Sequence, residues 1–84
     1  MKKIIMYSGP MCNFCEAAKR LLERNKLKYE VIDISADESL RDEMIKKSNG
    51  KRTIPQIFFE NDHIGGYVEL RELEKNNKLL NSLK

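Results

Sequence analysis

The apolar positions of this chain alternate between two periods, and the switches mark its elements. "IIMY" (4–7) is a continuous apolar run with the length of a buried strand. Ser8, Gly9 and Pro10 interrupt it. From Asn13 the period becomes helical. Phe14, Ala18, Leu21 and Leu22 fall at i, i+4, i+7 and i+8 on one face, while Glu16, Lys19, Arg20, Glu23 and Arg24 take the other, with Glu16 and Arg20 at favourable i, i+4 spacing. Asn25 and Lys26 close that helix. "YEVIDI" (29–34) is β-branched and predicts a second strand, and Ser35 with Glu38 matches a capping box, which predicts a second helix running to about Lys47. "SNGKR" (48–52) is a loop, "PQIFF" (55–59) a third strand opened by a proline, and "ENDH" (60–63) a turn into a brief fourth strand. Beyond Gly65–Gly66, Leu70 and Leu73 mark a third helix, and Leu79, Leu80 and Leu83 a short amphipathic C-terminal segment.

The order β-α-β-α-β-β-α belongs to the α/β class. A βαβ start gives a parallel pair with a right-handed crossover, and the 60–63 turn adds an antiparallel hairpin. The result is a mixed four-stranded sheet with helices on both faces, the thioredoxin arrangement. At 84 residues the chain holds one domain, 1–84, with no room for a second core.

Composition changes this picture only at the margins. Charged residues make up 35% of the chain and apolar ones 40%, which suits a globular domain with a well-solvated surface. The net charge of +3 comes from 16 basic and 13 acidic side chains that are interspersed, except where Lys46, Lys47, Lys51 and Arg52 cluster. A nucleic-acid interface would show a dense basic stripe with little acid in it, so no nucleic acid is expected; the cluster is a solvated surface or an anionic small-molecule site. The opening "MKKIIMYSGP" has neither the apolar core of a signal peptide nor the about 20 apolar residues of a membrane span. The expectation is a cytoplasmic protein with no membrane partner. In that compartment a close cysteine pair is more often catalytic or metal-binding than structural.

Cys12 and Cys15, the only cysteines, bracket two residues where the Gly-Pro loop runs into the first helix. Backbone N–H groups at a helix start lack partners, and the macrodipole leaves partial positive charge there. Both favour thiolate, so Cys12 is expected to titrate below the ~8.5 of a free cysteine. Cys15 lies one turn in, on the same side, less exposed and within disulfide reach. One thiol attacks and the other resolves. The rival readings are a zinc site, for which only His63 offers a further obvious ligand, and a pair of inert core cysteines.

Three further stretches bear on that pair. In "TIPQIF", Pro55 precedes a strand; a cis Ile54–Pro55 bond would leave the Ile54 N–H and C=O facing outward for an extended peptide, whereas a plain strand-start proline would not. In "IGGYVEL", two glycines before a helix allow close backbone approach and offer N–H groups to a carboxylate, while Glu69 is either a site for an ammonium group or a first-turn acid that suits the dipole. Lys51 and Arg52 stand before Thr53, where they attract another carboxylate or simply solvate a loop. A ligand with a thiol, peptide groups, two carboxylates and one ammonium would use all of these. Glutathione has that set.

On these residues the chain resembles the glutaredoxins, most closely the short bacterial dithiol class. The likeness spans nearly the whole length and rests on Cys12-x-x-Cys15, "TIPQIF" and "HIGGYVEL", in order and at family-like spacing. The resemblance implies a thioredoxin fold, a cis Pro55, glutathione as reductant and co-substrate, and no metal. It implies Cys12 as nucleophile and Cys15 as resolving thiol, with Phe14 beside the glutathione sulfur, Thr53 and Ile54 on the cysteinyl backbone, and Gly66, Tyr67, Val68 and Glu69 at the γ-glutamyl end. Partners would be glutathionylated or disulfide-containing proteins, met by a monomer. Five positions depart from the family pattern: Asn13 for proline, Gly9 for lysine, Phe14 for tyrosine, Val68 for a hydroxyl or acid, and Glu69 for aspartate. Two alternatives follow, a glutaredoxin-like redoxin reduced by thioredoxin reductase and a glutathione-ligated iron–sulfur cluster carrier.

Overall fold

The computed structural model describes residues 1–84. Strand β1 (Ile4–Ser8) leads into helix α1 (Asn13–Arg24), strand β2 (Glu30–Asp33), helix α2 (Glu38–Lys47), strands β3 (Gln56–Phe59) and β4 (Asp62–Gly65), and helices α3 (Tyr67–Lys75) and α4 (Leu79–Ser82). The sheet order is β2-β1-β3-β4, with β1 parallel to β2 and antiparallel to β3, and β3 antiparallel to β4. This is the mixed sheet and thioredoxin topology that the pattern predicts.

The two faces of β1 and β3 explain why helices are needed on both sides. Side chains alternate across a strand, so Ile4 and Met6 of β1 join Ile57 and Phe59 of β3 on one face. There they meet Ala18, Leu21 and Leu22 of α1, Leu70 of α3, and the C-terminal Leu79 and Leu83. Tyr7 and Phe58 point the other way and meet Ile34 and Met44 of α2. The register Ile4↔Phe59 to Tyr7↔Gln56 keeps each set on its own side.

Four local expectations change. The buried stripe of α1 is Cys15, Ala18, Leu21 and Leu22, and Phe14 is 62% exposed, with its ring against Tyr67 of α3. Helix α2 is capped by Asp37, whose carboxylate accepts the Ser39 N–H at 2.9 Å. Ser35, the expected cap, instead donates its hydroxyl and N–H to Asp33 at 2.6 and 2.8 Å, closing a turn before the helix begins. Glu16 pairs with Lys19 at 3.0 Å, one turn away, rather than with Arg20. The hairpin turn is also tighter, since β4 already starts at Asp62, and Glu60 (φ 56°) makes the reversal.

Two features tie the frame together. Arg24 at the end of α1 donates twice to the Glu74 carboxylate of α3, at 2.9 and 2.7 Å, and Asn25 adds a third bond at 2.8 Å. The chain ends also meet: the Lys2 N–H donates to the Leu83 carbonyl at 2.6 Å, beside buried Leu79 and Leu83.

Candidate active site

The cysteines lie where β1 hands over to α1. After Ser8 the chain turns through Gly9, Pro10 and a fully exposed Met11 (φ 55°), and Cys12 then takes up the extended N-cap conformation. Cys12 and Cys15 are joined by a disulfide, with Cα atoms 5.2 Å apart. The Cys12 sulfur accepts the Cys15 N–H at 3.1 Å, taking the place a serine or aspartate oxygen would hold at a helix start. On reduction, a thiolate at this position faces the positive end of α1. Cys15 has no accessible surface, whereas Cys12 is partly exposed.

The loop before β3 closes over that sulfur. Cys12 Sγ sits 3.8 Å from the Ile54 carbonyl oxygen. A disulfide sulfur has no proton to donate, so this is a packing contact in the oxidised state and a weak S–H···O bond only in the dithiol. The Ile54–Pro55 peptide is cis, and the Ile54 N–H and C=O make no hydrogen bond to any protein nitrogen or oxygen. Partly buried groups without partners are costly unless water or a ligand serves them, and this pair has the donor–acceptor layout of an extended strand.

A cavity of about 380 Å³ lies beside the Thr53 end of that loop, lined by Lys51, Thr53, His63, Gly66 and Glu69 among others. Its lining draws on both "TIPQIF" and "HIGGYVEL". The close approach depends on glycine at two points. Gly65 has φ +122°, and a Cβ there would lie 2.7 Å from Glu69 Oε1; a Cβ on Gly66 would lie 3.3 Å from the Pro55 carbonyl oxygen. Gly66 is the N-cap of α3 and has no side chain to cap with. The Glu69 carboxylate folds back to accept the Gly66 N–H at 2.7 Å, so one of the N–H groups at this helix start is already engaged. Tyr67 stacks on Phe14 with centroids 6.0 Å apart, forming a partly exposed aromatic wall between the first turns of α1 and α3. Val68 is 62% exposed, and Lys51 and Arg52 are exposed without an ion-pair partner.

On the other side of Cys12 a second cavity of about 430 Å³ is lined by Gly9, Asn13, Glu16, Lys19 and Asp33 among others. Hydrogen bonds from the Ser35 hydroxyl and then its N–H hold the Asp33 carboxyl below its ordinary value. Lys19 is paired with Glu16. The largest cavity, about 640 Å³ and lined by Met1–Ile4 and Lys26–Glu30, lies at the opposite end of β1 and contains neither thiol.

Two further residues contribute to the site without a sequence motif to announce them. Gln56 is 3% exposed in the middle of the apolar β3, and its amide donates to the Thr53 carbonyl at 3.0 Å and hydroxyl at 3.1 Å. Its oxygen lies 2.7 Å from His63 Nε2, and the His63 ring packs on Phe58 with centroids 4.9 Å apart. The signal was a polar residue in a buried strand facing a histidine across a hairpin. No three His, Cys, Asp or Glu side chains converge to form a metal site.

Comparison with known proteins agrees with this geometry. The glutaredoxin family model matches residues 4–64. Glutaredoxin 1 of Rickettsia conorii is 43% identical over 77 residues, covering 90% of this chain and 76% of that protein. The solution structure of a glutaredoxin from Brucella melitensis superposes with a TM-score of 0.87 at 42% identity, covering all of this chain and 90% of that one. A buckwheat glutaredoxin–glutathione complex shares the fold, with a TM-score of 0.87 at 24% identity over 98% of this chain and 76% of that one.

Proposed function

This chain belongs to the glutaredoxin family, and on that premise we propose that it is a cytoplasmic, monomeric oxidoreductase that uses glutathione to reduce protein–glutathione mixed disulfides and protein disulfides. Thiol–disulfide oxidoreductase activity follows from the family and the Cys-x-x-Cys pair; the glutathione dependence is our reading. The observation that carries it is the asymmetry of the couple: an accessible Cys12 at a helix start, bonded to a buried Cys15, beside the unpaired backbone of Ile54.

The Cys12 thiolate attacks the glutathione sulfur of a mixed disulfide, a new Cys12–glutathione bond forms, and the target's sulfur leaves as thiolate and takes up a proton. A second glutathione thiolate attacks the glutathione sulfur on Cys12, releasing oxidised glutathione and restoring the Cys12 thiolate. With a protein disulfide, Cys12 attacks one sulfur. Cys15 then loses its proton and attacks Cys12, so the target leaves as a dithiol and the Cys12–Cys15 bond remains for glutathione to reduce.

In this reading the Ile54 N–H and C=O pair with the cysteinyl backbone, and Thr53 and Pro55 hold that loop. Phe14 and Tyr67 wall the sulfur. The remaining N–H groups at the start of α3, at Tyr67 and Val68, receive the γ-glutamyl carboxylate, with Gly66 keeping the approach open. Glu69 faces the ammonium group, and Lys51 and Arg52 attract the glycyl carboxylate. A buckwheat glutaredoxin of the same fold is seen in complex with glutathione, which supports this choice of ligand. The test is turnover of a glutathionylated peptide with glutathione and glutathione reductase as the sole reducing system. Brisk turnover is the expected result. No turnover, together with reduction by thioredoxin reductase, would transfer the protein to the redoxin reading, toward which Gly9 and Val68 lean.

A further inference from the structure

Residues 52–55 include the Ile54 groups assigned above to the substrate backbone, yet none of their own N–H or carbonyl groups makes a backbone hydrogen bond. The hydrogen bonds that hold this stretch come from one side chain, the Gln56 amide, through the Thr53 carbonyl and hydroxyl. Gln56 in turn meets His63 across the β3–β4 hairpin. The register pairs Phe58 with His63, with a bulge between Ile57 and Phe58, and Gln56 lies two residues before Phe58 on the same face of β3.

The donors and acceptors in this chain are fixed. The Thr53 carbonyl can only accept, so the Gln56 NH2 faces it and Gln56 Oε1 faces His63. Oε1 can only accept, so His63 Nε2 carries a proton and donates. We propose that Gln56 and His63 are positioning residues for substrate binding: the His63–Gln56–Thr53 chain of hydrogen bonds sets the loop so that the Ile54 N–H and C=O are presented to the substrate backbone. This rests on the assignment of the Thr53–Pro55 loop to glutathione.

Two substitutions at His63 separate positioning from packing. His63→Phe keeps a ring against Phe58 and removes the donor. His63→Gln removes the ring and returns an amide N–H close to the Nε2 position. With a glutathionylated peptide as substrate, His63→Phe is expected to raise KM about three- to tenfold and leave kcat within about twofold, the signature of a lost binding contribution from one hydrogen bond. His63→Gln is expected to bring KM back to within about twofold of wild type. In a Gln56→Leu background, His63→Phe should add nothing, because the chain is already broken.

A KM unchanged in His63→Phe, a worse KM in His63→Gln than in His63→Phe, or additive losses in the double variant would each overturn the proposal. Wild-type turnover is the separate control for the glutathione reading. If it is absent, that reading falls and the positioning role falls with it; if it is present with an unmoved His63→Phe KM, only the positioning role falls.

Discussion

Replacing Glu74 by glutamine tests the link between α1, which carries the cysteines, and α3, whose first turn lines the cavity beside the Thr53–Pro55 loop. The Glu74 carboxyl is held down from an ordinary 4.5 to about 2, first by the Arg24 hydrogen bonds, then by Asn25, with Arg71 adding charge and burial opposing. A drop of that size caps the contribution at roughly 3 kcal/mol. Arg24 is half exposed, with 51% of its side chain open against 20% for Glu74, so water screens the pair and about 1–2 kcal/mol is expected. For a domain of this length that corresponds to a fall in Tm of about 6–12 °C at pH 7.

The sign of the pH dependence follows from a depressed carboxyl. The stabilisation is fully present above 4.5 and is lost as pH falls toward 2. Asp33 and Asp37 are also held low, by Ser35 and by the Ser39 N–H, but they titrate in wild type and variant alike and cancel in the difference. Thermal melts followed by far-UV circular dichroism from pH 7 to pH 2 should therefore show the gap between wild type and Glu74→Gln closing below pH 5. A gap that stays constant to pH 2, or no gap at pH 7, would show that the bridge does not couple the helices as described.

Other substitutions bear on the site and on the core. Cys12→Ser should abolish all turnover, and Cys15→Ser should retain most reduction of glutathione mixed disulfides while losing protein-disulfide reduction; equal losses would refute the division between nucleophile and resolving thiol. Glu69→Gln keeps the acceptor for the Gly66 N–H and removes the charge, so KM for a glutathionylated peptide should rise about two- to fivefold with little change in Tm; an unmoved KM would remove Glu69 from the ligand site. The Ser48 hydroxyl is fully buried without a partner, and Ser48→Ala should stabilise the fold by about 0.5–1 kcal/mol in urea titration; a loss of stability would mean the hydroxyl is satisfied after all.

The frame was legible because β1, α1 and β3 each bury a face whose period the sequence repeats: Ile4 and Met6, Leu21 and Leu22, Ile57 and Phe59 all lie where the alternation puts them. The thiol pair was legible for a similar reason, since two cysteines at a strand-to-helix junction have few other uses. What escaped was decided by competition among polar groups. Ser35 and Asp37 both suit the start of α2, and only Asp33 being close enough to claim Ser35 settles the matter. Phe14 fits the apolar period of α1, but so does its neighbour Cys15 one step round the helix, and it is Cys15 that turns inward. Gln56 reads as an interruption of an apolar run, and its purpose depends on Thr53 and His63, three and seven residues away along a chain that must first fold into a hairpin.

The bond from the Lys2 N–H to the Leu83 carbonyl has a practical corollary. Both chain ends leave from one corner, at the start of β1, and the thiol pair begins beyond its far end, a strand length of about 17 Å away. An affinity tag or fluorophore on either terminus therefore hangs clear of the reactive sulfur. A short glycine–serine bridge can close residue 84 onto residue 1, and new ends opened at the Glu60–Asn61 reversal would give a circular permutant that keeps all four strands and the Cys12–Cys15 couple in one piece.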